Sequence, residues 1–433
     1  MAIFTLDLTY KIWFDTQTFL FSDDDFLMTS STRYALSSNK LLLIAGTGWL
    51  FDAMDVGLLS FILAALKQDW QLTAGQLGII GSVNSIGMAV GAFVFGIYAD
   101  KKGRKSAFLL TLLLFSIASG LTAFAWGFGS LLVLRFFIGM GLGGELPVAS
   151  TLVSESVDSS IRGRIIVLLE SFWAIGWIFA AFVAYFLIPL PSIGWRGVMI
   201  ICALPAFYAL YLRFNLPDST NYVQLSAESK KESIALKVKA LWRAEYRKST
   251  LMLWIVWFCV VFSYYGMFLW LPNVMMMKGF SLVSSFGYVL VMTFAQLPGY
   301  FSVAWLIERI GRKWVLVIYL LGTLVSGYLF GAAISANELL LYGALLSFFN
   351  LGAWGAMYAY TPEQYATHIR ATGTGVAASF GRIGGVLGPL MVGYFVSIHV
   401  SITLIFTIFS LAILCAVGAI ILLGRETKQQ TLR

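Results

Sequence analysis

Six ionisable side chains interrupt stretches that are otherwise apolar enough to cross a bilayer: Asp52, Asp55, Arg135, Glu145, Glu170 and Arg382. Carboxyl groups at such depths can take up and release a proton. A guanidinium there can pair with a carboxylate of the protein or of a solute. Hydrocarbon resists all of them: a charge at the bilayer centre costs at least ~2.5 kcal/mol on insertion scales, so such groups face a water-filled path or one another. Their presence points to movement of a polar solute.

Membrane-spanning helices must position that chemistry. The chain has 433 residues, 59% apolar and 12% charged, with a mean hydropathy of +0.84, a composition foreign to soluble domains of this length. Short polar joints divide it into apolar segments of about 20 to 25 residues, enough for a helix to cross ~30 Å of hydrocarbon. Twelve are expected, at approximately Leu41–Leu66, Gln76–Ala99, Ala107–Trp126, Leu131–Ser154, Ile165–Ile188, Gly197–Phe214, Thr250–Met276, Phe286–Ile307, Val315–Ala333, Leu339–Tyr360, Thr372–Val396 and Thr403–Leu423.

Lys and Arg accumulate on the cytoplasmic side of short loops. With an even number of spans both termini share one side. Assigning that side to the cytoplasm places Lys101-Lys102-Gly103-Arg104-Lys105, Arg162 with Arg164, Lys230 through Lys248, and Arg309 with Arg312-Lys313 inside, leaving only Lys67, Arg196 and Lys278 outside. The expected location is thus the plasma membrane, multi-pass, with both termini cytoplasmic. The net charge of +8 describes topology and attraction to anionic headgroups rather than a nucleic-acid partner.

Other chemistry finds little support. Cys202, Cys259 and Cys415 lack metal or redox spacing and read as small buried apolar residues within helices. His368 and His399 show no pairing with a Ser or Cys nucleophile. Gly139-Met140-Gly141-Leu142-Gly143-Gly144 superficially matches a dinucleotide loop, but no strand precedes it and it falls within a span; close helix packing is its expected use. No metal and no cofactor are expected, and an enzyme is the weak alternative. Residues 1 to 40 form an aromatic-rich cytoplasmic segment carrying Asp23-Asp24-Asp25, without the plan of a cleaved signal peptide. Ordinary membrane-protein sequence begins abruptly after Met28, which makes that residue the expected natural start, with residues 1–27 an upstream extension or disordered tail.

An internal repeat organises the remainder. A shift of 208 residues superposes Trp49 on Trp257, Gly103-Arg104-Lys105 on Gly311-Arg312-Lys313, and Glu155 on Glu363. The same shift brings Arg162 onto Arg370, Ser171-Phe172 onto Ser379-Phe380, Gly176 onto Gly384 and Asp218 onto Glu426. One constant shift across six helices implies two halves of the same orientation. The fold class expected is therefore an all-α membrane protein of twelve transmembrane helices in two parallel-repeat six-helix bundles. These occupy 41–214 and 249–424, joined by a polar cytoplasmic linker over 215–248 with some helical content and followed by a cytoplasmic tail, 425–433.

The repeat also separates scaffold from function. Asp100 with Glu308, Gly103 with Gly311, Arg104 with Arg312, Glu155 with Glu363, and Arg162 with Arg370 recur at cytoplasmic helix ends, as a gate that holds helices together should. The six mid-span charges do not recur: their partners are Val260, Ser263, Gly343, Ala353, Ala378 and Ala174. A half that can be built without a charge at those depths has no architectural need for it.

Gly96-Ile97-Tyr98-Ala99-Asp100-Lys101-Lys102-Gly103-Arg104-Lys105 resembles the loop 2–3 signature of the major facilitator superfamily, with a degenerate copy at Glu308 to Lys313. Arg135 with Gly139, Gly141, Gly143 and Gly144, then Glu155 with Arg162-Gly163, is similar to the helix 4 pattern of its sugar-porter and organic-ion branches. Phe51-Asp52-Ala53-Met54-Asp55 resembles the paired aspartates of the aromatic acid:proton symporters, with Ala53 replacing the usual glycine. The narrowest resemblance is to the bacterial niacin (nicotinate) transporters, carried by Gly48 to Asp55, Gly143 to Ser150, Leu169 to Trp173, Ser263 to Trp270 and Tyr358 to Tyr365. It implies import of nicotinate by proton symport and alternating access.

Nicotinate, a flat pyridine with one carboxylate, needs a cation, aromatic walls and a donor for its ring nitrogen. Arg382 lies about twelve residues into the eleventh span beyond Arg370, hence ~18 Å deep and near the midplane. The alternative is a structural arginine held by backbone carbonyls. Aromatic groups sharing helix faces are Trp173 with Trp177; Phe258, Phe262, Tyr265 and Phe268; and Trp354 with Tyr358. Asn84, Gln296 and Asn350 are candidate donors, and ordinary interhelical hydrogen bonding explains them equally well. The substrate-binding set is Arg382, Tyr265, Trp354, Asn350, Trp173 and Phe262.

Proton coupling is expected to lie with Asp52, Asp55, Glu145 and Glu170 together with Arg135. Asp55 sits ~21 Å from the cytoplasmic end of the first span and Arg135 ~27 Å from that of the antiparallel fourth, within reach of a long side chain. A purely structural ion pair is the alternative. The partners expected are a small aromatic monocarboxylate, protons and the lipid bilayer, with no nucleic acid and a monomeric state. Another aromatic monocarboxylate, a sugar, or a sensor that binds without moving its solute are the competing readings.

Overall fold

The computed structural model describes residues 38–102, 104–156, 162–208, 211 and 234–428. Residues 1–37, which hold the start expected at Met28, lie outside them, and the linker over 215–248 is described only from 234 onward. Every regular element among them is a helix: α1 (Ser38–Asp69), α2 (Ala74–Lys102), α3 (Arg104–Thr122), α4 (Phe128–Ser156), α5 (Arg162–Leu187), α6 (Gly194–Ile201), α7 (Ile234–Ala240), α8 (Arg247–Phe268), α9 (Leu271–Met277), α10 (Leu282–Phe294), α11 (Gln296–Ile310), α12 (Arg312–Ala332), α13 (Ala336–Glu363), α14 (Thr367–Ser397) and α15 (Ile402–Leu423).

Among the described residues, ten helical segments are long and apolar enough to cross a bilayer, and two shorter apolar stretches, Phe128–Gly144 within α4 and Gly194–Tyr208 beginning with α6, fall on the fourth and sixth expected spans. Together they account for all twelve expected spans. The seventh is broken between α8 and α9, where Pro272 opens the second piece, and the eighth is interrupted at Ala295 between α10 and α11. Short polar joints stop and start the helices by capping. Ser281 and Ser401 accept backbone N–H groups at the starts of α10 and α15, and Ser335 with Glu338 forms a capping box on α13.

The two halves use the same pairings. α2 packs on α4 and α1 on α5 in the first, α11 on α13 and α8 on α14 in the second, as the 208-residue shift requires. The glycine run of α4 serves close packing: a Cβ at Gly139 or Gly143 would strike the backbone of α2 at Asn84 or Met88. The halves meet through α2 against α14 and through α5 against α10, α11 and α13.

Outward side chains match hydrocarbon, with Phe93, Phe124, Phe207 and Leu422 all exposed. At the end of the bundle carrying Arg312, the Arg309 guanidinium lies 3.9 Å from the ring centre of the exposed Trp305, an arrangement suited to the headgroup layer. Cys202 and Cys259 are buried, but Cys415 is exposed. Its helix, α15, turns only one face toward α8 and α12, so the expectation of three buried cysteines fails for the one on the outer face.

Candidate functional site

Side chains from both halves enclose a cleft. α1, α2 and α5 contribute Trp49, Met88, Glu170 and Trp173; α8 contributes Trp257, Tyr264 and Tyr265; α11, α13 and α14 add Tyr300, Trp354, Tyr358 and Arg382. Its free volume is about 30 Å³, less than a pyridine ring needs, so side chains or halves must part to admit a solute. The walls are bonded across the interface: the Trp173 indole donates to Tyr264 Oη at 2.9 Å. Tyr264 and Trp354 ring centres are 5.3 Å apart, and Trp354 stacks with Tyr358 at 5.8 Å. Trp354 Nε1 has no hydrogen-bond partner among the described residues.

Arg382 is set by the contact of α14 with α8. A Cβ at Gly388 would come within 2.6 Å of Phe262 O, so glycine there is what allows the two backbones to touch. Its Nη1 donates to Tyr265 Oη at 3.3 Å and to Met88 Sδ at 3.6 Å. No carboxylate among the described residues lies within ion-pair distance of it. A guanidinium offers five N–H donors, and a phenol and a thioether use little of that capacity. The remainder suits a planar anion.

A second site lies within the first half. Asp55 Oδ2 is 3.6 Å from Arg135 Nη1, and Ser119 Oγ donates to Asp55 Oδ1 at 2.8 Å. Arg135 Nη2 donates to Met199 Sδ at 3.2 Å. Asp55 and Arg135 are both buried, as is Asp52. The Glu145 side chain lies outside the described residues. Glu170, by contrast, is in the cleft itself.

At the end carrying Arg312, the second half is latched by charge. Arg312 pairs with Glu308 at 3.2 Å and Glu363 at 3.3 Å. Gly311, at φ 100°, makes the turn that brings Arg312 and Lys313 N–H groups onto the Glu426 carboxylate, at 3.0 and 3.2 Å. Arg370 donates to Pro362 O and Tyr365 O. The counterpart side chains of Asp100, Arg104, Glu155 and Arg162, and Gly103 itself, lie outside the described residues.

Four members of the substrate-binding set, Arg382, Tyr265, Trp354 and Trp173, line the cleft. Phe262 does not: it stacks on Phe258 and packs on Phe409 of α15, because it falls on the face of α8 that holds α15. Asn350 is fully buried in α13 outside the cleft lining, with neither amide atom bonded among the described residues. Trp49, Trp257, Tyr264 and Tyr300 were not singled out by spacing. Trp49 and Trp257 carried a usable signal, since they coincide under the 208-residue shift and both face the cleft.

The family model for the Major Facilitator Superfamily matches residues 46–303 and 284–433. The chain belongs to the Major Facilitator Superfamily. As a member of this transporter superfamily it is a multi-pass membrane protein and not an enzyme. The chain is 63% identical to the candidate niacin/nicotinamide transporter NiaP of Bacillus subtilis (strain 168), over 92% of this chain and 98% of that protein. It is 44% identical to the niacin transporter NiaP of Acinetobacter baylyi (strain ATCC 33305 / BD413 / ADP1), covering 90% of this chain and 95% of the relative. Among solved structures, the partially occluded inward-open xylose transporter XylE from E. coli aligns with a TM-score of 0.74 at 17% identity, over 91% of this chain and 99% of that one. That likeness concerns the fold of this superfamily member alone.

Proposed function

We propose that the chain is a secondary active transporter that imports nicotinate by proton symport, as a monomer working by alternating access in the plasma membrane. The carrying observation is Arg382: a cation in an aromatic cleft between the halves, with no carboxylate partner among the described residues. Arg382 takes the substrate carboxylate; Trp173, Tyr265 and Trp354 take the ring. The niacin named for two relatives has this chemistry. A sugar, without a charge for Arg382 to meet, is disfavoured.

Asp55 and Arg135 serve as the proton-coupled pair, with Asp52, Glu145 and Glu170 as further candidate carriers. Both termini face the cytoplasm, and the Glu308, Arg312, Glu363 and Arg370 cluster, with Asp100, Gly103, Arg104, Glu155 and Arg162 in the other half, forms the cytoplasmic gate. At the opposite end Gly78 of α2 abuts the Pro389 carbonyl of α14, where a Cβ would come within 2.7 Å, which supports closure on the outer side. A sensor that binds without transport needs no such pair of ends.

Counterflow of labelled nicotinate in proteoliposomes is the test. Exchange against unlabelled nicotinate, with uphill uptake only under an inward proton gradient, is the expected outcome. Binding without counterflow leaves the sensor; uptake of glucose in preference to nicotinate and benzoate discards the reading.

A further inference from the structure

The cleft holds two charged residue types, and they come from opposite halves: Arg382 from α14 and Glu170 from α5. Glu170 is 3% exposed and has no ion-pair partner among the described residues. The groups facing it are the Trp49 indole of α1, the Tyr300 phenol of α11 and the Tyr358 phenol of α13; Tyr358 is also within electrostatic reach of Arg382. The repeat puts Ala378 at the matching place, so the architecture does not require an acid there.

We propose that Glu170 is the second polar anchor of the substrate, its protonated carboxyl donating a hydrogen bond to the ring nitrogen while Arg382 holds the carboxylate. This deepens the nicotinate reading and rests on it. A pyridine nitrogen is an acceptor with one in-plane lone pair. An ionised carboxylate is acceptor-only and would face that lone pair unfavourably, whereas the protonated form supplies the missing donor. The site then selects a class: flat aromatic monocarboxylates with an in-ring acceptor. It also ties solute to proton directly, because the form of Glu170 that recognises the ring is the form that carries a proton. Because the two anchors belong to different halves, a solute that engages both draws the halves together across the cleft.

Binding of nicotinate and benzoate to the purified full chain in detergent, across pH, tests the assignment on wild type, Glu170→Gln and Glu170→Ala. Benzoate keeps the ring and carboxylate but lacks the nitrogen. Wild type should prefer nicotinate by about tenfold, the scale of a buried polar group satisfied or left bare, and lose that preference as pH rises. Glu170→Ala should bring nicotinate down to the benzoate level with benzoate little changed. Glu170→Gln, nearly isosteric and a permanent N–H donor, should keep the preference and lose its pH dependence. Equal losses for both ligands, or an undiminished preference in the Ala variant, overturn the proposal while leaving nicotinate transport standing. Equal wild-type affinity for both ligands also overturns it alone. A wild type that binds neither ligand removes the transport reading as well.

Discussion

Asp55 on α1 and Arg135 on α4 form an ion pair of 3.6 Å whose side chains are 2% and 0% exposed. Their repeat positions are Ser263 and Gly343, and Ser263 simply donates to Phe409 O at 3.1 Å. One half of the protein is therefore built around a buried pair and the other, with the same helix pairings, around an interhelical hydrogen bond.

Asp55→Asn separates coupling from architecture. An inward voltage is worth ~2.3 kcal/mol per elementary charge per 100 mV and expels an anion moving alone, so uphill uptake requires accompanying protons. The variant should lose accumulation under an imposed pH gradient while retaining exchange of labelled nicotinate. It also leaves Arg135 buried without its carboxylate, a loss of about 3–5 kcal/mol. Thermal unfolding should show that loss, and Asp55→Asn with Arg135→Met should recover stability without recovering accumulation. Unchanged accumulation in Asp55→Asn would remove the residue from the mechanism.

Arg382 should discriminate by geometry as well as charge. A guanidinium meets a carboxylate with two parallel N–H bonds and an ammonium does not, so Arg382→Lys should bind nicotinate weakly and Arg382→Ala more weakly. Truncating one side of a desolvated pair costs about 2–5 kcal/mol, roughly thirty- to several-thousand-fold in affinity. Neutral nicotinamide should bind wild type weakly and change little in the variants. Isothermal titration with both ligands decides; equal losses would assign Arg382 to packing.

The contact at Gly78 should be intolerant of bulk. Gly393 of α14 returns it, its own Cβ position lying 2.6 Å from Ala74 O, so the two helices have no slack there. Gly78→Leu should force α2 from α14 and hinder closure of that end, cutting uptake while the halves remain folded. A Ser85→Cys reporter beside Gly385 should then react faster with an impermeant thiol reagent from the outside. Unaltered labelling and transport would show that this end need not close.

Glu426 should matter to stability rather than to solute recognition. Its carboxylate caps the first turn of α12 through Arg312 and Lys313 N–H groups, where the helix dipole favours negative charge. Glu426→Ala should lower the stability of the protein by about 1 kcal/mol, read as a lower Tm, with nicotinate affinity unchanged. A shift in affinity equal to that of an Arg382 variant would place the tail in the binding cycle.

The sequence by itself determined the twelve spans, the two like-oriented halves and the short list of mid-span charges, because hydrocarbon thickness, basic-loop bias and a constant repeat shift leave a direct mark on residue order. It also brought Asp55 and Arg135 to compatible depths by rise per residue alone. Rotation about each helix axis was a different matter. On α8, Phe262 and Tyr265 are three residues apart, yet α15 covers one while the other opens on the cleft. Asn350 and Trp354 of α13 divide in the same way, and Tyr264 enters the cleft through its bond to Trp173. The presence of Glu170 opposite Arg382 likewise required two halves to be docked, since no spacing along the chain encodes which faces of α5 and α14 meet. Local patterns fix how far along a helix a residue sits; only packing between helices decides which way it points.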